Sequence, residues 1–171
     1  MSKKYVFKPY SSLFPELFDK EKSRLLNVLG DEVEIEHVGS TAIPGLGGKG
    51  IIDIAITVDQ SKRDSIREKL VSLGYEFRPS YSTEDRWYFI AFLPDPEEGA
   101  RRYHVHLTSH GSSSWEELIG FRDYLRSHPE EVKAYAELKE KAVEQAGGDG
   151  ESYRKVKEPM FQKIRKKNHL S

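Results

Sequence analysis

Cysteine is absent from the 171-residue chain. That excludes disulfides, thiolate metal sites and cysteine nucleophiles, and it agrees with a cytoplasmic setting. Neither sign of charge dominates: 27 Lys and Arg stand against 28 Asp and Glu, a net charge of −1. A broadly basic nucleic-acid binder and an acidic disordered chain are both excluded. No apolar run approaches about 18 residues, so no membrane span is expected. The opening Met-Ser-Lys-Lys-Tyr leads into no apolar stretch of the kind a secretory leader needs. Repeats and low-complexity linkers are missing too, so residues 1–171 are expected to form one domain. At this length the core removes on the order of 70% of the extended surface from water.

The patterning that is present reads as alternating helices and strands. Leu13, Phe14, Leu17, Phe18, Leu25, Leu26 and Leu29 recur near helical spacing, which predicts a helix from about Ser12 to Leu29, stopped by Gly30. Pro15 falls in its first turn, where a missing N–H costs little. Val33–Val38 reads as a strand with Val33, Ile35 and His37 on one face. Residues 39–50 hold five glycines and Pro44, a turn-rich stretch. Ile51–Val58 is the strongest strand: Ile52, Ile54, Ile56 and Val58 point one way, Asp53, Ala55 and Thr57 the other. A helix over Lys62–Leu73 follows, then strands at Tyr75–Arg78, Arg86–Leu93 and Arg101–Thr108. Pro94-Asp-Pro-Glu-Glu-Gly supplies the turn between the last two. Ser113 and Ser114, three residues before Glu116 and Glu117, form a capping-box pattern. Pro129 opens the next helix and Gly147-Gly148 end it; a last helix starts near Glu151 and breaks at Pro159. The order predicts an α/β (α+β) fold with a mixed sheet flanked by helices and a helical C-terminal segment.

The chemistry concentrates at His37-Val-Gly-Ser-Thr-Ala-Ile-Pro-Gly-Leu-Gly-Gly-Lys-Gly-Ile-Ile-Asp-Ile. A Gly-Ser-Thr turn leaving a strand presents backbone N–H groups and two hydroxyls, donors that suit a phosphate. Lys49 adds a cation. Asp53 is a carboxylate on a buried-looking strand, costly unless it is paired or metal-bound. The plain alternative is a tight turn capped by Asp53. The stretch is not a Walker A loop, for the Gly-Lys-Ser/Thr ending is missing.

HVGSTAIPGLGGKGIIDI, then RYHVHL, FRDYLRSHP and YRKVKEPMF, together resemble the GrpB-like family of the nucleotidyltransferase superfamily. The resemblance runs from the first helix to about Ile164 and implies a nucleotidyltransferase-like sheet. In that superfamily the Gly-Ser pair touches nucleotide phosphates, and an Asp-x-Asp or Asp-x-Glu strand binds two divalent metals. Gly39 and Ser40 match the pair and Asp53 matches the first acid, but Ala55 stands where the second belongs. Two-metal catalysis needs oxygens at both the attacking and the leaving group.

His104 and His106 share a strand face with Arg102. With Asp53 they make a candidate two-His, one-carboxylate site; with Mg²⁺ or Mn²⁺, which prefer oxygen ligands, they act instead as phosphate donors. The alternative is a strand face of hydrogen-bonded histidines. His37 reads as a core or rim histidine, and Arg122 and Asp123 as helix pairing. Tyr153 and Lys157 share a helix face, which is either a solvated face or, in the resemblance, a Tyr…Lys pair that approaches the nucleotide. Residues 154–167 carry seven basic side chains against Glu158 alone, either a solvated face or a phosphate- or RNA-facing patch.

The leading expectation is metal-dependent binding of a nucleoside triphosphate and nucleotidyl transfer to an unknown acceptor. Asp53 and Lys49 are the catalytic candidates. Gly39, Ser40, Thr41, Lys49, Arg102, His104, His106 and Lys157 are the phosphate-binding candidates, and Asp53 and His104 the ligands of Mg²⁺ or Mn²⁺. The alternatives are a catalytically silent binding module, which Ala55 favours, and other metal chemistry at Asp53, His104 and His106.

Overall fold

A computed structural model describes residues 8–146. Helix α1 spans Leu13–Leu29 and buries Phe14, Leu17, Phe18, Leu25 and Leu29 along one stripe; Leu26 lies outside the stripe and is exposed. Glu21 is buried in the same stripe. It accepts both Nε and Nη2 of Arg24 and the hydroxyl of Tyr75, so the buried carboxylate is fully met.

Strands β1 (Glu34–Val38), β2 (Ile52–Val58), β3 (Glu76–Phe77), β4 (Trp87–Asp95) and β5 (Gly99–Ser109) form one sheet in the order β1-β2-β5-β4-β3. The β2–β5 pair is parallel and the other pairs are antiparallel, the mixed sheet the pattern predicts. Helix α2 (Arg63–Ser72) makes the crossover after β2. Helices α1 and α2 cover the face carrying Ile52, Ile54, Ile56, Tyr103, Val105 and Leu107, and this is the main core. Helix α3 (Ser113–Arg126) packs against β1, β2 and β5, and α4 (Pro129–Ala146) packs on α3. A smaller core joins Ile43 and Leu46 of the glycine-rich turn to Leu125, Val132 and Tyr135 of these helices.

Several boundaries differ from the expected ones for physical reasons. Strand β4 runs through Pro94 to Asp95, past the expected turn. β3 pairs only with Phe89 and Ile90, so Pro94 lies on an open edge where its missing N–H breaks no ladder. Asp95 makes the tight turn by accepting from the N–H groups of Glu97 and Glu98. The cap of α3 is Ser112, whose Oγ accepts from Trp115 N; no Glu sits three residues on, so the reciprocal half of the expected box is absent. The predicted Gly147-Gly148 stop and the helix from Glu151 lie outside the described residues, as do Tyr153, Lys157 and the basic run 154–167.

Candidate functional site

The turn between β1 and β2 begins with Gly39 at φ +76°, a conformation that L side chains avoid. A Cβ at this position would lie 2.5 Å from Asp53 Oδ2. Glycine here therefore serves both the turn and the approach of its backbone to the carboxylate. Ser40–Ala42 then make one 3-10 turn, whose first N–H groups have no partner within it.

The turn is held from both sides. Arg101, 2% exposed, clamps Asp95 with Nε and Nη2 and donates Nη1 to Gly50 O, tying the β4–β5 hairpin to the exit of the turn. From the helical side, Arg122 donates to His37 O, Arg126 to Ala42 O and Lys139 to Gly47 O.

On the α3 side of the sheet, register sets Asp53 beside His104 and Ala55 beside His106. His106 Nε2 lies 3.2 Å from Asp53 Oδ1 and His104 Nδ1 lies 3.4 Å from it. Burial works against the charged carboxylate, but hydrogen bonds from His104 and His106 and their positive potential prevail. The Asp53 carboxyl is held well below the usual range and stays ionised. Its side chain remains 22% exposed. Arg102 Nε donates to His104 Nε2 at 2.7 Å, and the Nδ1 edge of the same ring faces Asp53 and the Tyr88 hydroxyl. His106 Nδ1 is buried without a hydrogen-bond partner.

Asp53, His104, His106 and Arg102 are thus brought together, with Gly39 and Ser40 adjoining. Lys49 is half-buried at the exit of the turn, next to Gly48. Thr41 is not brought to the site. It is 1% exposed, and its hydroxyl donates to Ile51 O while His37 Nε2 approaches it at 2.9 Å. Around His104, Arg102 faces Nε2, and Asp53 and Tyr88 face Nδ1. His37 is the buried, packed histidine expected: it stacks on Phe18 at 4.7 Å, and burial lowers its pKa to about 4.

Ala55 is completely buried on the face that α3 covers. The place of a second acid is therefore closed as well as empty. Among the described residues, no cluster of three or more His, Asp and Glu side chains is disposed to hold a metal ion. A two-metal centre does not fit. One divalent cation does, for Mg²⁺ commonly takes one or two carboxylates and completes its shell with substrate phosphates and water. Asp53 is the residue that would hold it.

Sequence reasoning misses three contributors. Glu36 lies in register with Ala55 and accepts from Arg122 Nη1 at 3.0 Å. Tyr88 reaches the histidines from β4, with its ring 4.9 Å from that of His104. Lys139 reaches the turn from α4, 5% exposed. The alternation of β1 and β4 places Glu36 and Tyr88 on a face, but only strand order puts that face beside Asp53. A cleft of about 880 Å³ lies elsewhere around the turn, lined by Tyr10, His37, Pro44, Leu125 and Val132 among others. Asp53, His104 and His106 do not line it, so volume alone does not locate the chemistry. No helix among the described residues is long and apolar enough to cross a membrane.

Comparison with known proteins bears on the fold and the family. The chain shares its fold with a crystal structure of the conserved protein GrpB from Enterococcus faecalis: TM-score 0.80, 26% identity, 95% of this chain and 96% of that one. It is also similar in fold to a structure of the Cid1 poly(U) polymerase with Mg 3′-dATP bound. There the TM-score is 0.53 and identity 14%, over 86% of this chain and 49% of that one. The sheet is thus nucleotidyltransferase-like. The Glutamate-rich protein GrpB of Alkalihalophilus pseudofirmus is 34% identical over 158 residues, 91% of this chain and 90% of that protein. The profile of the GrpB protein family matches residues 4–167, and the chain belongs to that family.

Proposed function

We propose that the chain binds a nucleoside triphosphate with one divalent cation, Mg²⁺ or Mn²⁺, on the α3 side of the sheet. The observation that carries this reading is the ionised Asp53 set directly against the Gly39–Ser40 turn. Gly39 and Ser40 receive phosphate oxygens through N–H and hydroxyl donors, and Lys49 supplies positive charge beside them. Asp53 holds the cation, which neutralises phosphate charge when bound. His104 and His106 orient the carboxylate, and Arg102 holds the ring of His104 in place. The Cid1 structure, with its Mg-nucleotide, supports the same class of ligand for this fold.

The second reading is nucleotidyl transfer to an acceptor, favoured by the retained first acid. The closed position at Ala55 argues for binding over two-metal transfer. Thermal unfolding with each of the four ribonucleoside triphosphates, with and without Mg²⁺ or Mn²⁺, tests the proposal. Ligand at a hundred times its Kd adds about 2.7 kcal/mol of stability. A metal-dependent rise in Tm is expected; no shift with any triphosphate overturns the reading. Release of pyrophosphate in the same mixtures, once candidate hydroxyl acceptors are added to take the nucleotidyl group, decides for transfer.

A further inference from the structure

The cleft of about 880 Å³ beside the glycine-rich turn takes no part in the site at Asp53. Its walls come from the turn (Ala42, Pro44), the start of α1 (Tyr10, Pro15) and the helical pair (Leu125, Val132). Leu125 and Val132 are buried members of the smaller core, so the cleft reaches apolar ground. Mostly apolar walls with a few polar groups are the usual form of a small-molecule site.

Two of its polar groups have donors to spare. Arg126, the last residue of α3, lines the cleft. Its Nε donates to Ala42 O at 2.9 Å, which anchors the guanidinium; Nη1 and Nη2 have no hydrogen-bond or ion-pair partner among the described residues. Arg122, one turn earlier, differs, for Glu36 and Asp123 both meet it. Tyr10 lines the same cleft and interacts electrostatically with Arg126. Its hydroxyl too has no hydrogen-bond partner among the described residues. His37 adds no charge near pH 7, because burial lowers its pKa to about 4, and its Nε2 faces Thr41.

Lys133, Glu137 and Glu140 complete the charged lining. With Val132 and Ala136 they recur at helical spacing on α4, so the cleft runs beside that helix for ~12 Å at 1.5 Å per residue. Lys133 lies near the corner between α3 and α4, where Arg126 ends α3; Glu137 and Glu140 lie one and two turns farther along. The cleft is therefore positive at one end and negative at the other. An oxyanion is favoured at the first end, where a guanidinium fork suits the two oxygens of a carboxylate. At the other end a second negative charge is repelled.

We infer that this cleft is a second ligand site, for an organic monocarboxylate: Arg126 and Tyr10 hold the carboxylate, and an uncharged apolar body lies along α4. The inference does not depend on the nucleotide reading, since none of Ser40, Lys49 and Asp53 lines the cleft.

The test is NMR and calorimetric titration of the full chain with sodium octanoate, at fixed pH and ionic strength, beside octanol and suberate. Octanoate is expected to bind saturably and to shift the amide resonances of Leu125, Val132 and Ala136. Octanol lacks the anion and suberate carries a second one at its far end; each is expected to bind about tenfold more weakly. Arg126→Gln keeps a donor for Ala42 O and is expected to weaken octanoate binding about tenfold or more, Tyr10→Phe about threefold. Absence of saturable octanoate binding overturns the inference, as do shifts confined to residues away from the cleft. Octanol or suberate binding as tightly as octanoate overturns it too, and so does an affinity unchanged in either variant. If Arg126→Gln does not fold, Tyr10→Phe and the comparison of octanoate with octanol in the unmutated chain decide on the same terms.

Discussion

The two faces of β2 differ in what closes over them. On one, Ile52, Ile54 and Ile56 are fully buried under α1 and α2 with no polar group to satisfy. On the other, Asp53 and Ala55 alternate with them beneath α3, and every neighbour in register is polar or charged except Val38. The first face is closed by packing. The second is closed at Ala55 and remains open at Asp53. The difference leaves one part of this face accessible, the end of the strand nearest the glycine turn.

The most severe test of that contrast is Ala55→Asp, which puts back a carboxylate at the superfamily's second acidic position. If α3 closes that place, the new charge is desolvated beside the Glu36 carboxylate and costs on the order of 3–5 kcal/mol. Equilibrium denaturation should show this as a lower midpoint. A stable variant that gains metal affinity would break the comparison, for the position would then be open. On the packed face, Ile54→Ala is expected to cost ~2–5 kcal/mol through lost transfer free energy and a cavity. An unfolding curve unchanged by that substitution would mean the face is not core.

His37 sharpens the contrast from the side of pH. Its imidazole lies against Phe18 of α1, and desolvation lowers its pKa from 6.5 to about 4, with nearby Asp53 opposing the shift. Between those two values the unfolded chain binds more protons than the folded one. Stability therefore falls as pH drops from 6.5 to about 4 and is insensitive to this group below that. The loss amounts to about 3 kcal/mol. Urea unfolding across that range should show His37→Gln lacking this part of the acid loss. A variant as acid-sensitive as the unmutated chain would mean that the imidazole is hydrated.

Much of this was legible in residue pattern. The alternation of Ile52 to Val58 separates the two faces without coordinates. The motif from His37 to Ile54 places Gly39, Ser40 and Asp53 together, and the His104-x-His106 pair falls on the correct face. What pattern does not carry is strand order. Glu36 reaches Ala55 only because β1 pairs with β2, and Tyr88 reaches His104 only because β4 pairs with β5. Thr41 shows the converse. Its hydroxyl reads as a donor in the motif, but a 3-10 turn rotates it inward to Ile51 O. Lys139 carries no local signal at all, since one lysine among several on an amphipathic helix is marked only by what the helix packs on.

The smallest effect expected, that of Ser40→Ala, informs about the open end of the strand when set beside that of Asp53→Asn. Asp53→Asn keeps size and removes the negative charge that the imidazoles hold in place. A hard cation depends on that charge, so Mg²⁺-dependent triphosphate affinity should fall steeply. Ser40→Ala removes one hydroxyl among several donors on the turn and should cost only ~0.5–1.5 kcal/mol. Calorimetric titration of both variants with a non-hydrolysable triphosphate, at fixed ionic strength, compares them directly. The carboxyl of Asp53 also titrates below the usual carboxylate range in the folded chain. Its contribution to stability is present above the ordinary value near ~3.9 and lost as pH falls through the depressed one. Asp53→Asn should therefore flatten the acid limb of the stability profile, whereas Ser40→Ala leaves it alone. Equal and small losses of binding in the two variants would place the cation away from Asp53. The face beneath α3 would then be a polar packing surface, and its difference from the isoleucine face would be one of composition only.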